Sequence, residues 1–467
     1  MKNIYKLTND IGSSAWLLML LIVTSLWSCE GFVEIDPPNN QLTGAIVFED
    51  ASTVNAALTD VYGQLRDQAL TNGGTSGAAN LLGHYSDELT LYSSSLQQTQ
   101  FFYENNVLAS NSLVLSLWNT SYNLIYATNN IIEGVNSSST LIAEDKDRFL
   151  GEAYFIRAFI HFYLVNLYGD IPYIDTTDYR VNSQVSKLSE AMVYQKLIDD
   201  LVLSKSLLSE NYNGVNRARP NKGVASAFLA RVYLYNQNWG LALSEANEVI
   251  SSGEYTLNTD INQVFLKNSS ETLWQFDAGI AGANTIDAQT YIFTSGPPPN
   301  SALSNEFINV FESGDTRFTN WIGAVSDGTD TWYYPFKYKL NTNTGVTQEC
   351  SIIFRLAEIY LIAAEANAHL GNTSDALDQL NDIRERANLT PVIFTDTMAL
   401  LEAIYKERRI EFFTEMAHRF FDLKRTGSTD SELSLVKPNW EPTDVLLPIP
   451  ESELILNTNL NPQNDGY

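Results

Sequence analysis

The chain has 467 residues, enough to bury a large core, and 44% of them are hydrophobic with only 25 glycines and 14 prolines, which excludes fibrous and disordered material. Against 55 acidic residues stand 28 basic ones, a formal net charge of -27; such a surface repels phosphate backbones and excludes nucleic acid as a partner. Charged residues are only 18%, so Asn, Ser, Thr and Gln supply much of the polar surface, as in 136–140 and 341–348.

The N-terminus carries the sharpest local signal. Lys2 and Lys6 precede an apolar run from Ala15 to Trp27, and Leu26-Trp27-Ser28-Cys29 follows. The run falls short of the roughly 20 residues a membrane-spanning helix needs, so it reads as an export signal. A small residue directly before cysteine resembles the lipoprotein-processing motif, in which the cysteine is acylated and becomes the new N-terminus. Residues 1–28 are therefore expected to be a lipoprotein export signal, Cys29 the lipidation site, and 29–45 a polar tether. The other cysteine, Cys350, borders Ser351-Ile352-Ile353-Phe354 and reads as a small core residue, leaving the mature chain no disulfide framework.

From Val47 the pattern turns helical. Val54, Leu58, Val61, Tyr62 and Leu65 define one apolar face, and Gly73-Gly74 stops it. A stretch rich in loop formers, Ser76–Tyr103, holds His84, Tyr85 and Tyr92. A second helix is predicted over Leu108–Ile132, ended by Gly134. In a third, Asp145–Tyr168, apolar residues nearly encircle the axis, which predicts a helix wedged between others and stopped by Gly169 and Pro172. Two later segments share a finer pattern: Ala225, Leu229, Ala230, Tyr233 then Trp239, Ala242, Ala246; and Leu356, Ala357, Tyr360, Ala364 then Ala376, Leu380, Ile383. Alanines at the points where two helices touch resemble the tetratricopeptide helical pair, a unit that stacks on its neighbours to bury its faces.

Residues 255–350 break this rhythm with Trp, Tyr and Phe separated by Gly, Pro, Asn, Asp and Thr, and with Pro297-Pro298-Pro299. They read as a loop-rich insertion carrying short strands. The end of the chain, about 433–467, reads as a packing segment. The predicted fold class is thus mainly α: a helical-repeat scaffold in a single domain, 46–467, interrupted by the insertion.

Three ordered motifs resemble the SusD/RagB-like outer-membrane nutrient-binding lipoproteins of Bacteroidetes: Phe354-Arg355-Leu356-Ala357-Glu358-Ile359-Tyr360-Leu361; Glu407-Arg408-Arg409-Ile410-Glu411-Phe412-Phe413 leading to His418-Arg419-Phe420-Phe421-Asp422; and Leu447-Pro448-Ile449-Pro450. Ala417 stands where the family ordinarily has Gly, at a position read as helix interior. The resemblance implies a SusD-like fold and a non-catalytic protein facing the cell exterior from the outer membrane. It also implies a partner, a TonB-dependent (SusC-like) transporter, to which glycan is delivered; related members serve peptide uptake. Two alternatives stay open, capture of peptide or another non-glycan nutrient, and a structural surface lipoprotein.

Within the motifs, Arg355, Glu358, Arg408, Arg409, Glu411, Arg419 and Asp422 read as a structural ion-pair network holding the last helix to the C-terminal segment. Sugar binding needs flat aromatic faces beside hydrogen-bonding groups, because sugar C–H faces are apolar while hydroxyls must recover the bonds lost from water. Tyr92, Trp321 and Trp332 are the expected platform residues, with Asn320, Asp330 and Tyr334 beside them. Trp274 reads as core and Trp239 as repeat packing. His84, His161, His369 and His418 are far apart in sequence, and neither metal-ligand spacings nor a nucleophile elbow occurs, so no metal, cofactor or catalytic residue is expected.

Overall fold

The scaffold is built by helices that pack on their neighbours in sequence. In the computed structural model, which describes residues 47–68 and 70–467, α1 (Ala51–Asp67) is capped by the Asp50 carboxylate, which accepts the Ser52 N–H at 2.7 Å. Its buried stripe is Val54, Leu58, Val61, Tyr62 and Leu65, and it lies on α4 (Ser112–Ser137). The export segment, Cys29 and the tether lie outside the described residues. Residues 48–467 form one compact unit.

Between these two helices the chain is more regular than its composition predicts. The stretch read as loop-rich contains α2 (Ala78–Tyr85) and α3 (Gln97–Tyr103) with a strand, β1 (Leu89–Leu91), between them. All eight residues of α2 are buried, Asn80 and His84 among them, and the helix is too short for its period to stand out in the sequence. Nor does α4 stop at Gly134. The helix runs on to Ser137 because the bare glycine lets the Phe48 ring against its backbone; a Cβ there would meet that ring at 2.2 Å.

From Phe149 onward almost every residue of α5 (Ala143–Tyr168) is buried, and the helix is wedged between α4 and α6 (Glu190–Leu207). Gly169 closes it at φ +71°. The stack continues through α7 (Lys222–Tyr235) and α8 (Trp239–Ser251), then α9 (Leu356–Leu370) and α10 (Thr373–Arg386), with α11 (Thr397–Glu411) against both. Fully buried Ala225, Ala230, Ala242, Ala246, Ala357, Ala364 and Ala376 line the seams, where larger side chains would hold the backbones apart. Trp239 stacks on His369 across α8 and α9, ring centroids 3.9 Å apart.

Because α8 packs directly on α9, everything between them is an excursion that leaves the stack and returns to it. Its neck is a buried antiparallel pair, β2 (Thr272–Gln275) with β6 (Ile352–Arg355), and β6 runs straight into α9. Trp274 on β2 is fully buried, edge-on to Phe155 and Phe159 of α5 at 5.2 Å each, so the neck is welded to the helical core. Beyond it lie β3 (Ser301–Leu303), β4 (Ile322–Ser326) and β5 (Thr331–Pro335), which join β1 in a four-stranded sheet of order β1-β3-β5-β4. Cys350 is buried beside the neck.

The last helix of the scaffold, α12 (His418–Arg425), begins at Ala417 with φ +62° and ψ 26°. Ala417 is therefore not in a helix interior, as its sequence suggested. It is the cap residue in the left-handed region, where an L side chain is strained, which accounts for the glycine ordinarily found there in the resembled family. The C-terminal segment folds back on the end of α5. Leu447 donates its N–H to the Leu167 carbonyl at 2.8 Å, and the Asn464 amide donates to the Tyr168 and Leu447 carbonyls, each at 2.8 Å.

Candidate functional site

The four-stranded sheet has one face on the core and one turned away. Leu89 pairs with Leu303, Leu303 with Tyr333, and Tyr333 with Ala324, and these residues, together with Ile322, lie on the inner side. Leu89, Leu303, Ile322 and Tyr333 pack with Phe265, Phe307, Trp321 and Phe413. The period of two then puts Thr90, Trp332 and Tyr334 on the outer side. Tyr92 continues β1 by donating its N–H to the Asn300 carbonyl at 2.8 Å, and it shares that outer side.

Two glycines let the outer rings settle on bare backbone. Gly323 pairs with Tyr334 across β4 and β5, and a Cβ on it would stand 2.2 Å from the Tyr334 ring; a Cβ on Gly296 would stand 1.9 Å from the Trp332 ring. Phe293 and Phe336 flank Tyr334 at 5.0 and 5.7 Å. Tyr92 is 43% exposed, and its hydroxyl is met by the Trp332 side chain. Partial burial, the neighbouring Tyr103 and the Asp330 charge raise the Tyr92 phenol above its ordinary pKa, against the pull of the Trp332 hydrogen bond. Asp330 is held by the hairpin turn between β4 and β5: the Asp327 carboxylate accepts the Thr329 and Asp330 N–H groups at 2.8 and 2.9 Å. Beside this face opens a cleft of about 330 Å³, with Thr90, Tyr92, Tyr103, Glu306, Lys437 and Asn439 on its walls.

The structure thus brings Tyr92, Asp330, Trp332 and Tyr334 together and separates Trp321 and Asn320 from them. Trp321 is only 1% exposed. Its indole N–H donates to the Ile261 carbonyl at 3.2 Å and its ring meets Phe265 edge-on at 5.2 Å. It ends the short helix Thr316–Trp321, one residue before β4, and packs in the core, so the expectation that it is a platform residue is corrected. Asn320 donates its amide to the Thr316 carbonyl at 2.7 Å and the Thr319 hydroxyl at 3.1 Å, which commits it to its own helix. Sequence reasoning did not single out Tyr103, Glu306, Lys437 or Asn439. Their meeting depends on β1 pairing with a strand more than 200 residues away, for which no local signal exists.

The motif residues form buried ion pairs. Glu411 is fully buried and takes Arg317 at 2.9 Å, Arg355 at 2.5 Å and Arg386. Burial alone would raise its carboxyl, but Arg386, Arg355 and Arg317 hold it well below the usual carboxylate range. Glu358 pairs with Arg231 at 2.6 Å, Arg408 with Asp422 at 2.8 Å, and both Arg409 and Arg419 with Asp87, at 2.7 and 2.8 Å. The network therefore ties α11 and α12 to the scaffold, to the end of α2 and to the insertion. The sequence expectation assigned it to the C-terminal segment, but that segment is held mainly by hydrogen bonds to backbone carbonyls, from the Asn464 amide and from the Lys187 ammonium to Pro462 at 2.6 Å among others. Among the described residues, no group of three His, Cys, Asp or Glu side chains could hold a metal ion, and no helix is long and apolar enough to cross a membrane.

A stacked-helix body that carries an inserted sheet with an aromatic outer face defines a SusD-like fold. A SusD superfamily protein from Bacteroides vulgatus superposes with a TM-score of 0.80 at 22% identity, over 90% of this chain and all of that one. A laminarin-binding SusD-like protein superposes with a TM-score of 0.75 at 24% identity, over 89% and 99%. Residues 32–234 match the family described as "Starch-binding associating with outer membrane", and 317–467 match the SusD family. A SusD-like protein of Formosa agariphila is 30% identical over 420 residues, 76% of this chain and 81% of that one. The chain belongs to the SusD/RagB-like family.

Proposed function

We propose that the protein is a cell-surface glycan-binding lipoprotein, acylated at Cys29 and held at the outer membrane, which captures oligosaccharide and passes it to a TonB-dependent transporter. The observation that carries this reading is the outer face of the four-stranded sheet, where the exposed Tyr92 and the half-buried Trp332 and Tyr334 lie beside Asp330 and a polar cleft. Sugar C–H faces lie on such rings, and hydroxyls exchange water for the Asp330 and Glu306 carboxylates and the Asn439 amide. No bond is made or broken. Binding is shallow, which suits a carrier that must release its cargo. Acyl chains at Cys29 contribute about 0.8 kcal/mol per buried methylene and keep the receptor beside its pore. A laminarin-binding protein shares this fold, and the matched family is described as starch-binding; both support the reading.

The test is affinity electrophoresis of the purified protein in gels containing neutral polysaccharides, laminarin and starch among them. Trp332→Ala and Tyr92→Ala are expected to abolish the retardation seen for the wild type. Gly296→Ala should weaken it by displacing the Trp332 ring, without touching a ligand atom. Retardation that survives all three substitutions would refute this site.

A further inference from the structure

The charged groups around the aromatic face are unequally committed. Asp87, on the cleft wall, is neutralised by Arg409 and Arg419, and Arg419 also takes Glu432 at 3.0 Å, so two carboxylates and two guanidiniums close on one another. Lys437 is the one basic residue among the described walls of the cleft. Its ammonium donates to the His84 carbonyl at 2.5 Å and the Tyr103 carbonyl at 3.1 Å, and it lies 4.4 Å from the Tyr103 ring centroid, so it faces the protein. At the far end of the face, Lys339 donates to the Asn262 side chain at 2.5 Å and sits near Asp260 and Glu349.

The acids are different. Glu306 is exposed and, with Glu104, acts on the Tyr103 hydroxyl; Asp330 is exposed and acts on the Tyr92 hydroxyl. Three carboxylates therefore border the rings and the cleft, and the nearest cations are turned inward. The rings need only the C–H faces of a sugar, and the carboxylates accept hydrogen bonds from its hydroxyls. A sulfate or uronate brought to the same place meets like charge and finds no guanidinium to pair with.

Resting on the glycan reading above, we infer that this site selects uncharged glycan chains and rejects sulfated and uronate-rich ones, with Glu306 and Asp330 as the specificity-determining residues. Each carboxylate acts over a few ångströms through solvent, so the discrimination is electrostatic and falls with ionic strength.

The experiment compares retention of the purified full-length protein by neutral polysaccharides (laminarin, starch, mannan) with retention by alginate and carrageenan. At low salt at least one neutral polymer is expected to bind about 10-fold more tightly than either anionic one, and the gap should narrow at about 0.5 M salt, where the Debye length falls to a few ångströms. The double substitution Glu306→Lys with Asp330→Lys should raise retention by carrageenan about 10-fold or more at low salt. Both residues are exposed, and unchanged unfolding curves would show that the variant folds. Alginate or carrageenan binding as tightly as every neutral polymer would overturn the selectivity and leave the glycan reading standing, and so would a double variant that shifts nothing. A wild-type protein retained by no polysaccharide, neutral or anionic, would overturn the glycan reading itself.

Discussion

Replacing Glu411 by Gln removes one charge and almost no volume from the centre of the ion-pair cluster. Arg317, Arg355 and Arg386 all reach this carboxylate, and all four groups are almost completely withdrawn from water. Arg317 retains Asp315 and Glu407, Arg355 retains Glu415, and Arg386 retains Glu271. Three guanidiniums are thus left under-compensated rather than bare. Breaking a buried pair by removing one partner costs about 3–5 kcal/mol, and the surviving partners keep this case within that range. The native carboxyl titrates well below its ordinary 4.5, so its stabilising contribution is fully present above that pH and is lost as the pH falls toward the native value. Guanidinium unfolding followed by tryptophan fluorescence should therefore show Glu411→Gln destabilised by about 3–5 kcal/mol at pH 7, with the deficit shrinking below pH 4. A loss under about 1 kcal/mol at pH 7 would refute the view that this carboxylate holds three cations together.

Glu88 should behave in the opposite sense. Burial, then the charge of Asp87, pushes its carboxyl up to about 7, against the pull of Arg419, Lys337 and the Thr414 N–H. Its contribution is present below the unfolded value near 4.5 and is lost as the pH rises through 7, so Glu88→Gln should be more stable than wild type at pH 8.5 by roughly 2–3 kcal/mol, and equal to it near pH 4.5. Equal unfolding midpoints for the two proteins at pH 8.5 would contradict this. Ala417→Gly should stabilise the protein by about 0.5–1 kcal/mol, since relief of the left-handed strain exceeds the added freedom of the unfolded chain. The same unfolding assay reads it, and a loss of stability would show that the +62° conformation carries no strain.

The parts legible in the sequence were those set by local period. The apolar girdle of α5 and the alanines at the helix seams follow from side chains three and four residues apart, and these spacings point to the stack. Two kinds of feature were not legible. The eight residues of α2 are too few for a period to stand out among the turn formers around them, and a glycine inside α4 looks like a stop when the reason for it is a ring 86 residues away, Phe48. The outer aromatic face shows the same limit. Trp321 and Trp332 both sit among polar turn formers and look alike in sequence, yet one lies on the core side of the sheet and the other on the open side. Trp321 closes a helix and packs in the core beneath the sheet, whereas Trp332 stands in β5 on the face opposite Tyr333, and no local pattern separates the two.

The cluster and the outer aromatic face are linked through the insertion. Arg317 stands just before β4 and reaches Glu407 and Glu411 on α11; Lys337 stands just after β5 and donates to the Glu411 and Phe413 carbonyls at 2.8 and 2.9 Å and to Glu415 at 2.5 Å. The hairpin that carries Asp330, Trp332 and Tyr334 is thereby clamped at both ends to the helical scaffold. Apolar contacts under the sheet would tolerate sliding or rotation, since they have no direction, whereas the charged hydrogen bonds of Arg317 and Lys337 fix distance and direction. Glu407 and Glu411 of the motifs, through Arg317, and the Glu411 carbonyl, through Lys337, therefore hold in one orientation the hairpin that carries the aromatic rings. Outside the clamp the outer face is free to change its side chains without disturbing what positions them.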